Sequence, residues 1–256
     1  MAKYFLGIQI AKSPRGMFLN QHKFISDIIQ DLKLQDARVP TSLLAMDWSA
    51  EDSNSPLMED PGQFRRLIEM LMYLNFTRPN LTFVVHHLSQ FMQHPTMHYW
   101  SAALHIVKYL KGCSIHGSLY PADSSLHLTT YCDADWAKCT ITRRSVIGYA
   151  IMLGESLISW KCKKQNTISG SSAESKYRSA AMVVCALKWL GYILQVLQQP
   201  PQQPITLHYD NKSAISMIEN PIPSKEQLAD AFTKILTAPV FSALLFKMGF
   251  YANPPS

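Results

Sequence analysis

An α/β fold, a mixed sheet with flanking helices preceded by a mostly helical segment, is the reading of this 256-residue chain, and three features carry it. Apolar residues recur at helical spacing as far as Gly112. Past residue 113 short β-patterned runs take over, in the order strand, strand, strand, helix, strand, helix, which describes a sheet with helices packed on it. Hydrophobic residues make up 47% of the chain, enough for a packed core.

Residues 4–12 alternate as one strand, Ser13-Pro14-Arg15-Gly16 supplies a turn, and 17–20 returns as its hairpin partner. A helix follows near 22–34, with Phe24, Ile28 and Leu32 on one face, and then a Pro-, Ser- and Asp-containing loop over 35–62. Phe64, Leu67, Ile68, Leu71 and Leu74 predict a helix that Pro79 ends, and Trp100, Leu104, Val107 and Leu110 predict another, with Gly112 as its C′ residue. Residues 113–125 read as a linker. Residues 126–131 form a strand running into Asp133, 148–153 and 156–160 a hairpin about Gly154-Glu155, and 167–169 a short strand. A long helix over 172–198 places Met182, Val183, Ala186, Leu190, Ile193 and Leu197 in the core. A strand at 205–209 precedes Asp210, with helices through Ile218 and over 224–235.

The net charge of +6 is unevenly placed. Lys138, Arg143, Arg144, Lys161, Lys163 and Lys164 are opposed within their stretch only by Glu155, which suits either a polyanion partner or an ordinary solvated face. The five cysteines form no C-x-x-C pair, so free thiols of an intracellular protein are expected. No uninterrupted apolar run reaches the roughly 20 residues of a membrane helix, and the N-terminus lacks a secretory pattern, so no membrane partner is expected. His86 and His87, adjacent on a helix, diverge and read as a packed or surface pair.

Asp133 and Asp210 each stand at a predicted strand end. Carboxylates so placed can converge on a hard divalent cation, though the same residues also serve as turn residues or helix N-caps. The run Tyr131-Cys132-Asp133-Ala134-Asp135-Trp136-Ala137 is followed in order by Arg143-Arg144-Ser145, Gly148-Tyr149, Ser159-Trp160-Lys161, Ser171-Ser172-Ala173-Glu174, Tyr209-Asp210-Asn211-Lys212 and Leu228-Ala229-Asp230-Ala231-Phe232-Thr233-Lys234. This series resembles the ribonuclease H domain of copia-type retrotransposon Pol polyproteins. Tyr4-Phe5-Leu6-Gly7, Phe64-Arg65-Arg66-Leu67, Thr77-Arg78-Pro79 and Tyr109-Leu110-Lys111-Gly112 resemble the end of the reverse transcriptase in the same polyproteins.

The resemblance implies a ribonuclease-H-like fold over 126–256 after a thumb- or connection-like segment over 1–112. It implies an enzyme that cuts RNA in RNA–DNA hybrids with two magnesium ions held by Asp133, Asp210, Asp230 and a glutamate. Arg143, Arg144, Trp160, Lys161, Lys163 and Lys164 would contact the nucleic acid, with Lys161 and Lys163 on one strand face. Three departures predict a catalytically impaired remnant, with a nucleic-acid-binding module that retains the basic face without catalysis, or a weakly active ribonuclease H, as the alternatives. Lys176 stands at the glutamate's place and puts a cation where two dications would bind. Glu174, roughly 200° away around the helix, is instead the partner of Ser171 in an S-x-x-E capping box. The segment expected between Asn220-Pro221 and Ser224 is missing, so the domain reads as internally deleted near 221–224 and Asp230 as displaced. Met1 falls after the polymerase aspartates by the same comparison, so no polymerase site is expected in this chain.

Overall fold

The computed structural model describes residues 3–45, 48 and 54–208. They lie within one compact unit, Met1–Asp210, which is α/β with two four-stranded sheets. The readings for Asp210, Ile218, 224–235 and Asp230 fall outside the described residues.

The first sheet is antiparallel throughout, in the order β1 (Lys3–Phe5), β2 (Ile8–Ser13), β3 (Gly16–Asn20), β4 (Gly117–Pro121). The strand expected over 4–12 is two strands, because Leu6 and Gly7 turn the chain at φ +47° and +71° and the Tyr73 hydroxyl donates to the Leu6 carbonyl. Gly16 is required at its turn: its φ is +138° and a Cβ there would lie 2.1 Å from the Tyr120 carbonyl oxygen. The stretch 113–125, expected as a linker, contains β4, whose partner β3 is too distant in sequence for local pattern to reveal the pairing.

Helices α1 (His22–Asp31), α2 (Pro61–Leu74), α3 (Thr82–Leu88) and α4 (Met97–Gly112) build the first core. Asp60 caps α2 by accepting from the Gly62 amide at 2.8 Å, and Pro61 sits at the first helical position. The predicted stripe Phe64, Leu67, Ile68, Leu71 and Leu74 is buried to the last residue. Gly112 is the final helical residue rather than C′; Cys113 caps the helix.

The second sheet has the order β7-β6-β5-β8, from β5 (His127–Asp135), β6 (Val146–Leu153), β7 (Ser156–Lys164) and β8 (Gln202–His208). β8 runs parallel to β5, and α5 (Ser172–Val196) is the crossover a parallel neighbour requires. Leu128, Thr130, Cys132 and Ala134 alternate toward the core that α5 covers with Ala180, Val183, Leu187 and Leu194, while Tyr131, Asp133 and Asp135 occupy the opposite face.

Several expectations are corrected here. β5 continues to Asp135, so Asp133 lies inside a strand rather than past its end. Residues 167–169 form no strand; Thr167 accepts from Arg178 and Ser169 donates to Gln165, so side chains take over the bonding. Of the predicted α5 core only Val183 is fully buried, Ala186 and Leu190 pack at its edge, and Leu197 is exposed, because the buried stripe is Ser175, Ser179, Val183, Leu187 and Leu194. By length and apolar composition alone α5 could cross a membrane, although Lys188 interrupts its apolar run. The face it turns to the sheet carries the two buried serines.

Arg78 is buried under the end of α4, where its guanidinium donates to the carbonyls of Cys113 (2.7 Å) and His116 (3.2 Å). A cationic fork there satisfies carbonyls that the helix end leaves open. Arg78→Ala is expected to cost about 2–3 kcal/mol in urea unfolding, with Arg78→Lys recovering only part, since an ammonium lacks the fork. On α3, burial and then the charge of Lys164 lower the pKa of His86; burial, His86, Lys164 and Lys138 lower that of His87. The fold disfavours the charged form of both, so their contribution is complete above the unfolded value of 6.5 and is lost as the pH falls below it through their lowered folded-state values. The midpoint of thermal unfolding should decline from pH 7.5 to 5.5, and less steeply in a His86→Gln/His87→Gln variant.

Candidate functional site

The N-terminal end of α5 meets β5 through polar contacts. The Ser179 hydroxyl donates to the Asp133 carbonyl at 3.0 Å. Gln165 is buried and bridges three segments: its side-chain amide donates to the Ser175 carbonyl (2.9 Å), its Oε1 accepts from Ser169 (2.7 Å), and its backbone amide donates to the Ser145 carbonyl (2.8 Å). The Trp136 indole donates to the Ser169 carbonyl at 2.8 Å, tying the loop after β5 to the turn before α5. These bonds fix the helix start relative to the strand that carries the carboxylates.

Lys176, in the second turn of α5, brings its ammonium 3.2 Å from Asp133 Oδ1. The lysine side chain is 14% exposed and the aspartate 66%, so a largely covered cation rests on a carboxylate that faces solvent. Glu174 points elsewhere. Its backbone amide donates to Ser171 Oγ at 3.1 Å, its Oε2 accepts from the Gly170 amide at 2.8 Å, and its Oε1 pairs with Arg178 at 2.7 Å. The reciprocal bond of the cap therefore lands on Gly170, one residue before the N-cap. The Gly170 bond first, and then Arg178, hold the Glu174 carboxyl below its ordinary range.

Asp135 shares the face of Asp133 and pairs with Lys138 at 3.1 Å. The sequence reading missed this pair; the i, i+2 parity with Asp133 was the available signal, hidden by ending the strand too early. Among the described residues no group of three His, Cys, Asp or Glu side chains could hold a metal ion. With Lys176 on Asp133, the described residues do not fit two magnesium ions.

The basic residues divide. In β7, Lys161 and Lys163 pair across from Tyr149 and Ile147 on the α5 side of the sheet, both exposed. Trp160 and Lys164 lie on the other side with the carboxylates, and Lys164 donates to Gln90 Oε1 (2.7 Å) and Cys139 Sγ (3.4 Å). Arg143 and Arg144 are exposed in the β5–β6 loop, where the Arg143 amide donates to the Cys139 carbonyl at 2.7 Å. All five cysteines are free. Ser171→Ala, which removes the α5 cap, should cost about 1 kcal/mol in equilibrium unfolding, with the loss repaired by Ser171→Asp.

The chain is 31% identical over 99% of its length to the retrovirus-related Pol polyprotein from transposon RE2 of Arabidopsis thaliana, and spans 19% of that protein. It is 28% identical over 86% of its length to the corresponding polyprotein from transposon TNT 1-94 of Nicotiana tabacum, spanning 17% of it. An uncharacterized mitochondrial protein of Arabidopsis thaliana is 37% identical over 73% of the chain and 77% of its own length. No family profile and no solved structure matches. With relatives aligning across nearly the whole chain, the protein belongs to the retrovirus-related Pol polyproteins of copia-type retrotransposons.

Proposed function

We propose that this chain derives from the end of a reverse transcriptase (1–112), a connecting stretch (113–125) and a ribonuclease-H-like domain (126–256), and that it binds nucleic acid without cutting RNA–DNA hybrids. Three antiparallel strands, a crossover helix and a strand parallel to the first support the ribonuclease-H-like reading, since this is the mixed sheet the resemblance implies.

The observation that carries the loss of cleavage is the ammonium of Lys176 at 3.2 Å from Asp133. Two-metal hydrolysis needs surplus negative charge to hold two dications. Here one lysine both stands at the place of a ligand and pairs with the Asp133 carboxylate. Glu174 is no substitute, because its two oxygens are committed to Gly170 and Arg178. The exposed Arg143, Arg144, Lys161 and Lys163 support retained binding to phosphates.

The chain should leave an RNA–DNA hybrid uncut in magnesium yet bind it in EDTA. Four phosphate contacts would weaken that binding by about two orders of magnitude over a fourfold rise in salt. Lys161→Glu/Lys163→Glu should flatten this dependence, and Lys176→Glu should make thermal stability respond to magnesium. Magnesium-dependent cleavage by the unaltered chain would overturn the loss of catalysis, and absence of hybrid binding at low salt would overturn the retained binding.

A further inference from the structure

The face of the second sheet turned away from α5 is the floor of a long trough. Its middle is a cavity of about 440 Å³ floored by Asp133, Gly148, Trp160 and Cys162 and walled by Thr82 and Phe83 of α3. Toward α2 it continues into a cavity of about 580 Å³ through the shared Thr82, Trp160, Lys161 and Cys162, reaching Phe76 and Tyr120. Toward β8 it continues into one of about 620 Å³ through the shared Asp133, Gly148, Tyr149 and Ala150, reaching Tyr131 and His208, whose rings stack at 4.7 Å.

Aromatic rings follow this path. Phe76 is 62% exposed, Phe83 49% and Tyr131 51%, and Trp160 is partly open beside them. Apolar rings left in water along one continuous channel mark a binding surface rather than scattered exposure. The charge identifies the occupant. Two aspartates line the trough and would repel a polyanion, but each carries its own counter-ion, Lys176 on Asp133 at 3.2 Å and Lys138 on Asp135 at 3.1 Å. Lys164, on the same face of β7 as Trp160, adds a further positive charge. A ligand that offers flat rings along a negatively charged backbone fits this combination. In a duplex those rings are enclosed in the stack, whereas an unpaired strand presents them to aromatic side chains.

We propose that the trough holds an unpaired nucleic-acid strand, its bases stacked on Phe83 and Trp160, with Lys138 and Lys176 in place of divalent ions at the carboxylates. The assignment rests on the reading of this chain as a nucleic-acid binder and adds to it a strand preference and a location. Lys163 lies on the opposite side of β7 from Trp160 and lines none of the three cavities, whereas Lys161 borders two of them, so Lys163 is the basic residue that can be altered separately from the trough.

The test is fluorescence anisotropy of the full chain in EDTA with two labelled probes, an oligothymidine and an RNA–DNA hybrid. Phe83→Leu, a half-exposed position outside the buried core, should weaken oligothymidine binding about tenfold, the size of one lost stacking contact, and leave hybrid binding within about twofold. Phe83→Tyr should restore it, and magnesium should not strengthen binding by the unaltered chain. If the hybrid binds and Phe83→Leu leaves the oligothymidine unaffected, the trough is overturned while the binder reading stands. A need for magnesium also overturns the trough, and failure of both probes to bind overturns both readings.

Discussion

Helix α5 approaches β5 at its N-terminal end through hydrogen bonds where most helix–sheet junctions use apolar contact. Ser179 holds the Asp133 carbonyl, and Gln165 gathers Ser145, Ser169 and Ser175 into one buried network. A polar junction of this kind is costly unless satisfied, and its directionality fixes the rotation of the helix as apolar packing alone would not. Rotation is what matters here. With Ser175 and Ser179 turned to the sheet, Lys176 is carried to Asp133 and Glu174 is left at the helix start beside Gly170. The same rotation sends Trp189, Tyr192 and Val196 to solvent further along the helix.

The electrostatics of the carboxylate face follow from that placement. A partly exposed ion pair contributes little to stability, in the range of about 0–1 kcal/mol. Its larger consequence is chemical. A carboxylate with a lysine resting on it is a poor ligand for a dication and a weak barrier to a phosphate. Lys138 repeats the device at Asp135. Lys176 thus sets a cation, rather than a carboxylate, beside Asp133.

Helix α2 was legible because its stripe is complete: the residues chosen by spacing are the ones found buried. The capping role of Glu174 was equally legible, since it depends on residues three apart. What sequence could not supply was non-local. β4 is a strand only because β3 offers it an edge. The strand over 4–12 breaks at Leu6, a residue without the turn preference of glycine, held by a bond from Tyr73. The trough was illegible for the same reason: Phe76, Phe83, Tyr131 and Trp160 come from a turn, a helix and two strands and share no spacing. Asp210 was read from a strand end and a motif, Asp230 from a motif alone, and both lie beyond the described residues.

Strand β7 shows how a basic cluster in sequence becomes two surfaces in space. Lys161, Lys163 and Lys164 with Trp160 read as one patch along the chain, but the pleat sends Lys161 and Lys163 to the α5 side and Trp160 and Lys164 to the other. On the first side the charges stand exposed, suited to phosphates that carry no sequence or strand information. On the second, charge is mostly spent on internal partners, with Lys164 on Gln90 and Cys139 and Lys176 on Asp133. A single edge strand therefore places exposed lysines on one side of the sheet and an aromatic ring on the other.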